Sequence, residues 1–494
     1  MAYITPMQEI SLLIERAAKT AMSLPEIVNE EIKEFTASDH YQVMAKAEEY
    51  YRNRSSVQEK TNDVAQRSNT KIEHPILKKL VDQKANYLLS KPFSITSERR
   101  EYADALSRIM DKTFRRKVKS LGKGAVKSGI AFLQPYIDER GRLRFMRLPS
   151  TEIIPLWRDA EHTELDAFIR FYEQTVYEGK KKTTVLRVEY NDKSGVKYFT
   201  GKGAGKGLTQ ETDHGTPENG FTAPHFYYGD KPYTWEAAPL IWAKYNEEEL
   251  PLAYFIRDFI DDINWQTSVT SDVLRDIAKF IYVLRGYGGQ DLAEFIKDLR
   301  ENLAVKVDED GGVDKLQPDL NIEAIMQFLD KQRRDVYDFA AGVDTKDPDL
   351  GNASGTAINF RYMDLDTDCA ELGAELQDAF QHMKLFFDVY LQAVGAGDFT
   401  GDTFEITFNA DMPVNETDII NNVRSSDMLS MDTRLRNHPW VEDVEAELQK
   451  IADEKRRDME EFGIGLFDDD LTTGEGVGDA KPGILGTSGT AAGT

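Results

Sequence analysis

Residues 252–284 read LAYFIRDFIDDINWQTSVTSDVLRDIAKFIYVL, and their spacing decides the fold class. Leu252, Phe255, Ile256, Phe259, Ile263, Val269, Val273, Ile277 and Ile281 recur at helical intervals and share one apolar stripe. Asp258, Asp261, Asp262, Asp272 and Asp276 fall largely off that stripe, which is the pattern of an amphipathic helix. Uninterrupted to Leu284, such a helix measures about 50 Å. A compact segment follows over 285–320. It holds a Gly286-Tyr287-Gly288-Gly289 turn, a short helix over Leu292–Leu299 and a strand Ala304-Val305-Lys306-Val307, and Asp310-Gly311-Gly312 turns into a partner strand over Val313–Leu316. The next helix, Ile322–Ala341, carries its stripe at Ile322, Ile325, Met326, Leu329, Val336, Phe339 and Ala340. Asp344–Asn352 is a loop of turn formers. Beyond it Ser354–Val394 contains no proline and is long enough for a helix of about 60 Å. Helices this long cannot bury both flanks in one globule of 494 residues, so neighbouring subunits of a ring or bundle are expected to cover them. A long hairpin within one chain is the alternative.

Working outward, helical spacing covers Glu9–Val28 and His40–Arg52, and His74-Pro75 opens a helix that ends before Pro92. Glu101–Ser128 reads as one helix with a basic face of Arg115, Arg116, Lys117, Lys119, Lys123 and Lys127. From Ile130 to about Tyr228 the pattern shifts to short alternating runs. Ala131–Tyr136, Leu143–Leu148, Phe168–Tyr172 and Val185–Tyr190 read as strands of an antiparallel sheet, with Gly201–Gly220 a flexible loop. Thr403–Phe408 is a lone strand, Glu416–Met428 and Val441–Phe462 are helices, and Asp468–Thr494 has the composition of a disordered tail. The fold class is mainly α with a smaller antiparallel β part.

The chain carries 61 basic and 86 acidic side chains, a net charge of −25. Residues 1–250 have a net of +3 and residues 251–494 a net of −28, while 51–150 alone reach +13. An acidic half serves solubility and does not resemble the basic surface of a conventional DNA-binding module. No apolar run approaches the roughly 20 residues of a spanning helix, and Met1–Glu15 lacks the pattern of a secretory signal. A single cysteine, Cys369, excludes a disulfide framework and fits a reducing cytoplasm as the place of synthesis.

Catalytic signatures are missing. Gly201-Lys202-Gly203-Ala204-Gly205-Lys206-Gly207 has Thr200 where a phosphate-binding loop needs glycine, and Gly207 where it needs Ser or Thr for magnesium. It reads as a surface loop. His40, His74, His162, His214, His225, His382 and His438 show no metal-ligand spacing, and no Gly-x-Ser-x-Gly elbow occurs. The expectation is therefore no enzyme, no cofactor and no metal.

Several strings together resemble the portal, or head-to-tail connector, proteins of tailed double-stranded-DNA bacteriophages, the type common in phages of Gram-positive bacteria. They are Tyr50-Tyr51-Arg52-Asn53; the run from Lys71 through Ile72, Glu73, His74 and Pro75 to Leu89, followed by Lys91-Pro92-Phe93; Asn246-Glu247-Glu248-Glu249; and Gly351-Asn352-Ala353-Ser354-Gly355-Thr356-Ala357. A spaced pattern, Thr433, Leu435, Pro439, Val441, Asp443, Glu447, Ile451 and Glu454, completes the order over about residues 40–455.

The resemblance implies a ring, typically of twelve subunits, built from wing, stem, clip and crown around an axial channel. Residues 1–245, β-rich over 130–230, would be wing; 246–284 and 321–343 the stem helices; 285–320 the clip; 344–353 the tunnel loop. Residues 354–412 would return to the wing, 413–465 form the crown and 466–494 the disordered tail. In the tunnel loop, Asp344, Thr345, Lys346, Asp347, Asp349, Leu350 and Asn352 would face DNA. In the clip, Gln290, Asp291, Glu294, Lys297, Asp308, Glu309 and Asp310 would meet partners. Those partners would be other copies of the chain, double-stranded DNA held without sequence preference, a terminase ATPase, a head-completion adaptor, and major capsid and scaffolding proteins. No membrane is involved, and the protein would sit at the capsid portal vertex after assembly in the host cytoplasm.

The charge map suits that role. Duplex DNA presents about one phosphate charge per 1.7 Å of axis, and cationic contacts grip it. An acidic wall repels it over a screening length of about 8 Å and lets it slide. A helical structural oligomer without a DNA channel, and a diverged DNA-processing ATPase or nuclease, are the rival readings.

Overall fold

The computed structural model describes two units. In the first, 1–413, it describes residues 22–61, 68–203, 205–228, 231–276, 281–285, 293, 297, 312–316, 321–346 and 355–409. In the second, 414–494, it describes 420, 423–426, 428–436, 438, 440, 441 and 444–461. Helix and antiparallel sheet are mixed, with helix dominant, as the sequence predicts.

The first unit opens with α1 (Leu24–Ala37), α2 (Asp39–Tyr51) and α3 (Ile76–Leu89), then β1 (Ser94–Thr96), α4 (Arg100–Ile109) and α5 (Lys112–Ser128). Strands β2 (Ile130–Ile137), β3 (Leu143–Leu148), β4 (Ile153–Trp157), β5 (Leu165–Glu178), β6 (Lys181–Asp192), β7 (Gly195–Gly201) and β8 (Leu208–Gln210) follow. Next are the short β9 (Phe226–Tyr228) and β10 (Lys231–Tyr233), then β11 (Ile241–Lys244). The chain continues through α6 (Leu252–Asp276), β12 (Ile281–Arg285), β13 (Gly312–Leu316), α7 (Ile322–Phe339), α8 (Gly355–Ala393) and β14 (Glu405–Thr407). The second unit contains α9 (Met431–Arg436) and α10 (Val444–Glu461).

The two larger sheets among the described residues are ordered β11-β2-β3 and β4-β5-β6-β7-β8, with β1-β14, β9-β10 and β12-β13 as two-stranded pairs, and all these pairings are antiparallel. Strand β2 is buried on both faces because its side chains alternate. Ala131 and Leu133 point into the main core and Phe132 into a second cluster with Trp157, Phe168 and Trp242. The larger sheet lays Ile154, Ile169, Val188 and Phe199 against Val28 and Ile32 of α1. The main core is aromatic: Phe93, Phe114, Phe145, Phe380 and Phe387 meet mostly edge to face, at centroid separations from 5.1 to 6.5 Å.

Five boundaries differ from the sequence reading. Among the described residues the first helix is Leu24–Ala37, which runs past the expected end at Val28, with Pro25 in its first turn and Ser23 and Glu26 forming a capping box; residues 1–21, and with them most of the expected helix Glu9–Val28, lie outside the described ones. The expected helix over 101–128 is two helices, because Asp111 accepts the N–H groups of Thr113 and Phe114 and starts a new one. Strand β14 is not alone: Ser94–Thr96 pairs with it across some three hundred residues of chain. The glycine-rich stretch after β7 is a hairpin that returns as β8, and Gly203, Gly205 and Gly207 take the positive φ values of its turn.

The fifth difference concerns the stretch quoted first. Helix α6 ends at Asp276, about 38 Å long, and Ile281–Arg285 is instead a strand paired with Gly312–Leu316. The β-branched and aromatic run Ile281-Tyr282-Val283 suits a strand as well as a helix, an ambiguity inherent in short apolar runs. Val313–Leu316 is a strand as expected, but its partner is Ile281–Leu284; Ala304–Val307 lies outside the described residues.

Candidate functional site

Two features of sequence carry the site: the polar side of α6, and the run from 68 to 89. Asn264, Ser268, Asp272 and Asp276 stand four residues apart and therefore share one face of α6. Each accepts a backbone N–H from an extended strap running the other way. His74 donates to Asn264 Oδ1 at 2.9 Å, Ile72 to Ser268 Oγ at 2.9 Å, Thr70 to Asp272 Oδ1 at 2.7 Å and Ser68 to Asp276 Oδ2 at 3.1 Å. The spacings match: four helical residues rise about 6.0 Å and two extended residues about 6.6 Å. The strap's N–H groups, which have no sheet to join, are thus satisfied by side chains.

Lys60 adds an ion pair to Asp272, and Asn264 Nδ2 donates to Ser55 Oγ at 3.0 Å. Although burial opposes it, the Lys60 ammonium and the Thr70 N–H hold the Asp272 carboxyl below its usual range. Asp261 accepts from Tyr50 Oη at 2.6 Å and from Ser56 N at 3.2 Å, while Asp262 is bonded by Gln332 of α7. Four of the five acids that the sequence places on the polar face are therefore occupied inside the chain. Asp258 differs, with an exposed side chain beside Arg257.

Helix α3 performs the same service where α7 ends. Gln83 brackets Val343, donating to its carbonyl at 2.8 Å and accepting its N–H at 3.0 Å. Lys84, fully buried, donates to Ala341 O at 3.1 Å and pairs with Asp368 of α8 at 2.7 Å. Asp368 also accepts from Tyr245 Oη at 2.7 Å, and Tyr87 Oη donates to Asp366 at 2.7 Å. Cys369 packs among Tyr87, Val343 and Leu365, and burial pushes its thiol up to about 12. That is the environment of a core residue, not a nucleophile.

The loop residues expected to face DNA divide accordingly. Asp344 is held by Arg333, Nε to Oδ2 at 2.8 Å and Nη2 to Oδ1 at 2.8 Å, and its Oδ1 accepts the Lys346 N–H at 3.1 Å. It is an anchor whose charge is matched within the chain. Thr345 and Lys346 follow this anchor; Asp347, Asp349, Leu350 and Asn352 lie outside the described residues. Of the clip residues, Lys297 is exposed, while Gln290, Asp291, Glu294, Asp308, Glu309 and Asp310 lie outside the described residues. Lys331, like Arg333, pairs within its own chain, with Asp335 at 2.7 Å.

The apolar stripe of α7 is only half used. Val336 and Ala340 are buried, but Met326 is 60% exposed and Phe339 63%. Phe255 and Trp265 on α6 and Phe360 and Met363 on α8 are also exposed. Single exposed apolar residues are ordinary, but several large ones on α6 and α7, two helices packed against each other, make that flank a candidate contact surface.

Comparison with known proteins supplies the class, since a family of phage portal proteins matches residues 35–461. That family is described as phage portal protein, SPP1 Gp6-like, and the chain belongs to it. The portal protein of Bacillus phage SPP1 is 28% identical over 409 residues, covering 82% of this chain and 80% of its own length. The portal protein of Clostridium phage phiCD119 is 26% identical over 444 residues, covering 84% of this chain and 93% of its own. Portal proteins are structural components of the virion. Among the described residues no helix is long and apolar enough to cross a membrane.

Sequence reasoning named the run 71–89 for its resemblance but missed what it does. The signal was present in the four-residue spacing of Asn264, Ser268, Asp272 and Asp276. It looked like a solvated helix face, because nothing in a sequence says that an extended segment two hundred residues away covers it.

Proposed function

We propose that the chain is one subunit of a portal ring at a single capsid vertex, through which double-stranded DNA is packaged and later ejected. In this reading α6 and α7 form the stem, 285–320 the clip that meets the terminase ATPase and then a head-completion adaptor, and 344–353 the tunnel loop. Residues 1–245 with 354–412 form the wing, toward capsid and scaffolding proteins, and 413–465 the crown. The channel is passive; the packaging energy comes from the ATPase.

The observation that carries the reading is the uncovered apolar flank of the helices, Phe255, Trp265, Met326 and Phe339 above all. A neighbouring subunit in a ring is the natural cover, and repeating one such contact around an axis closes the ring. Twelve is the expected number of copies.

Electron microscopy of the purified full chain tests this. Rings with a central opening wide enough for a duplex are expected; filaments, or monomers at every concentration, would refute it. The loop assignment has its own test: deleting 347–351 should leave rings intact and impair DNA packaging or retention, and unaltered packaging would show that the loop is elsewhere.

A further inference from the structure

Helices α4 and α5 carry Arg100, Arg108, Lys112, Arg116, Lys117 and Lys119, and none of these has an ion-pair partner among the described residues. Other cations nearby are engaged: Arg99 pairs with Asp402, Arg144 with Asp111, and Lys123 with Asp82. Lys112, Arg116 and Lys119, spaced three and four residues apart, give α5 a basic side, while on α4 Arg100 and Arg108 alternate with Glu101 and Asp104, in a chain whose net charge is −25.

A cavity of about 850 Å³ has the opposite character. Glu161, Glu247, Glu248 and Glu375 line it, with Glu249 deeper. Lys244 is the lining lysine, and it is already committed, 2.8 Å from Glu161 O and 3.8 Å from the Glu249 carboxylate. Glu249 also takes His162 Nδ1 at 2.5 Å. Glu247 and Glu248 have no cationic partner among the described residues. Burial, and then Asp368, Glu248, Glu375 and Glu247, push the neighbouring Glu371 carboxyl upward, so negative charge is crowded here.

The two faces sit at opposite ends of one rigid strand. Lys244 pairs with Ile130 at the start of β2. Lys117 shares a small hollow with Tyr136 and Arg144 near the strand's other end. Six residues of strand separate those ends by about 20 Å. Unlike patches this far apart on one body can meet head to tail, basic face of one copy on acidic rim of the next, and repeating that contact around an axis generates a ring.

We propose that the basic face of α4–α5 of one subunit docks on the rim of the Glu161–Glu247–Glu248 cavity of the next copy, so that this wing-to-wing contact fixes the direction of assembly. The inference rests on the ring reading above. The occupant is a second copy because the acidic cavity supplies the charge that the basic face lacks. Such rim pairs set direction and encounter rate more than depth of binding, and they weaken with salt.

Charge reversal tests the contact in the full chain. Glu247→Lys with Glu248→Lys, or Arg116→Glu with Lys119→Glu, should lower the ring fraction at physiological salt by about tenfold or more, read by native mass spectrometry. The variant carrying all four changes should recover assembly, with circular dichroism showing every variant folded. Glu161→Lys with Arg108→Glu gives a second, independent pair should the first misfold. The contact is overturned if single-face reversals assemble like the unaltered chain, or if the fourfold variant does no better than either. It is also overturned if Arg116→Glu with Lys119→Glu loses DNA in a filter-binding assay while its rings persist, since the face would then serve nucleic acid. Absence of rings from the unaltered chain would overturn the ring reading itself and this contact with it.

Discussion

Helices α6 and α7 pack against each other, are both amphipathic and are both rich in acids, yet they use these properties in opposite ways. The polar side of α6 is consumed within the chain by the strap 68–74, Lys60, Tyr50 and Gln332. On α7 it is the apolar side that stays unspent, with Met326 and Phe339 open to solvent. A carboxylate counted along a sequence is therefore not always one free to act. Lys60 matches the charge of Asp272, whereas Asp261 and Asp262 keep their charge but are fixed in place by hydrogen bonds from Tyr50, Ser56 and Gln332.

The contrast can be broken most violently at Lys84. Removing it by Lys84→Ala strands Asp368 and the Ala341 carbonyl, and should cost about 3–5 kcal/mol in urea unfolding, as expected when one partner of a buried ion pair is lost. A cost below about 1 kcal/mol would show that the junction after α7 is less dependent on α3 than the contacts suggest. Next comes the ladder: Asn264→Ala orphans the His74 N–H and should cost about 1–3 kcal/mol, with faster hydrogen exchange at His74 and Ile72.

Acid should loosen the strap but not the α7 flank. Asp272 has its carboxyl held low in the folded chain, so the stability it contributes is present above its unfolded value of about 3.9 and is lost as pH falls through the lower folded value. Hydrogen exchange at Thr70 should rise relative to α7 amides as the solution is acidified below about pH 4; a flat ratio would dismiss the coupling. The smallest effect is on α7: Met326→Ser with Phe339→Ser should change unfolding by no more than about 0.5 kcal/mol while reducing ring assembly. Unchanged assembly would leave that flank without its proposed role.

Local periodicity made α3, α8 and the central strands β5 and β6 of the larger sheet legible, since each buries a face that repeats at its own interval. The cap at Asp111 was also written in the sequence, where helical spacing on both sides disguised it. The pairing of β1 with β14 was not legible, because a three-residue strand carries almost no signal and its partner lies at the far end of the unit. Of the candidate site, the order of segments could be read, but not the destination of each charge. That Asp344 is the partner of Arg333 could not be read, because it is set by how the chain turns after Phe339.

The strap on α6 behaves as a vernier. Its two scales advance by about 6.0 and 6.6 Å per division, so each further rung drifts by about 0.6 Å, and three intervals accumulate about 1.8 Å. A hydrogen bond tolerates only a few tenths of an ångström before it weakens, and flexible side chains absorb the remainder only so far. Four rungs are close to the most such a gauge can read. Among the described residues the last rung is Asp276, the residue that also closes α6.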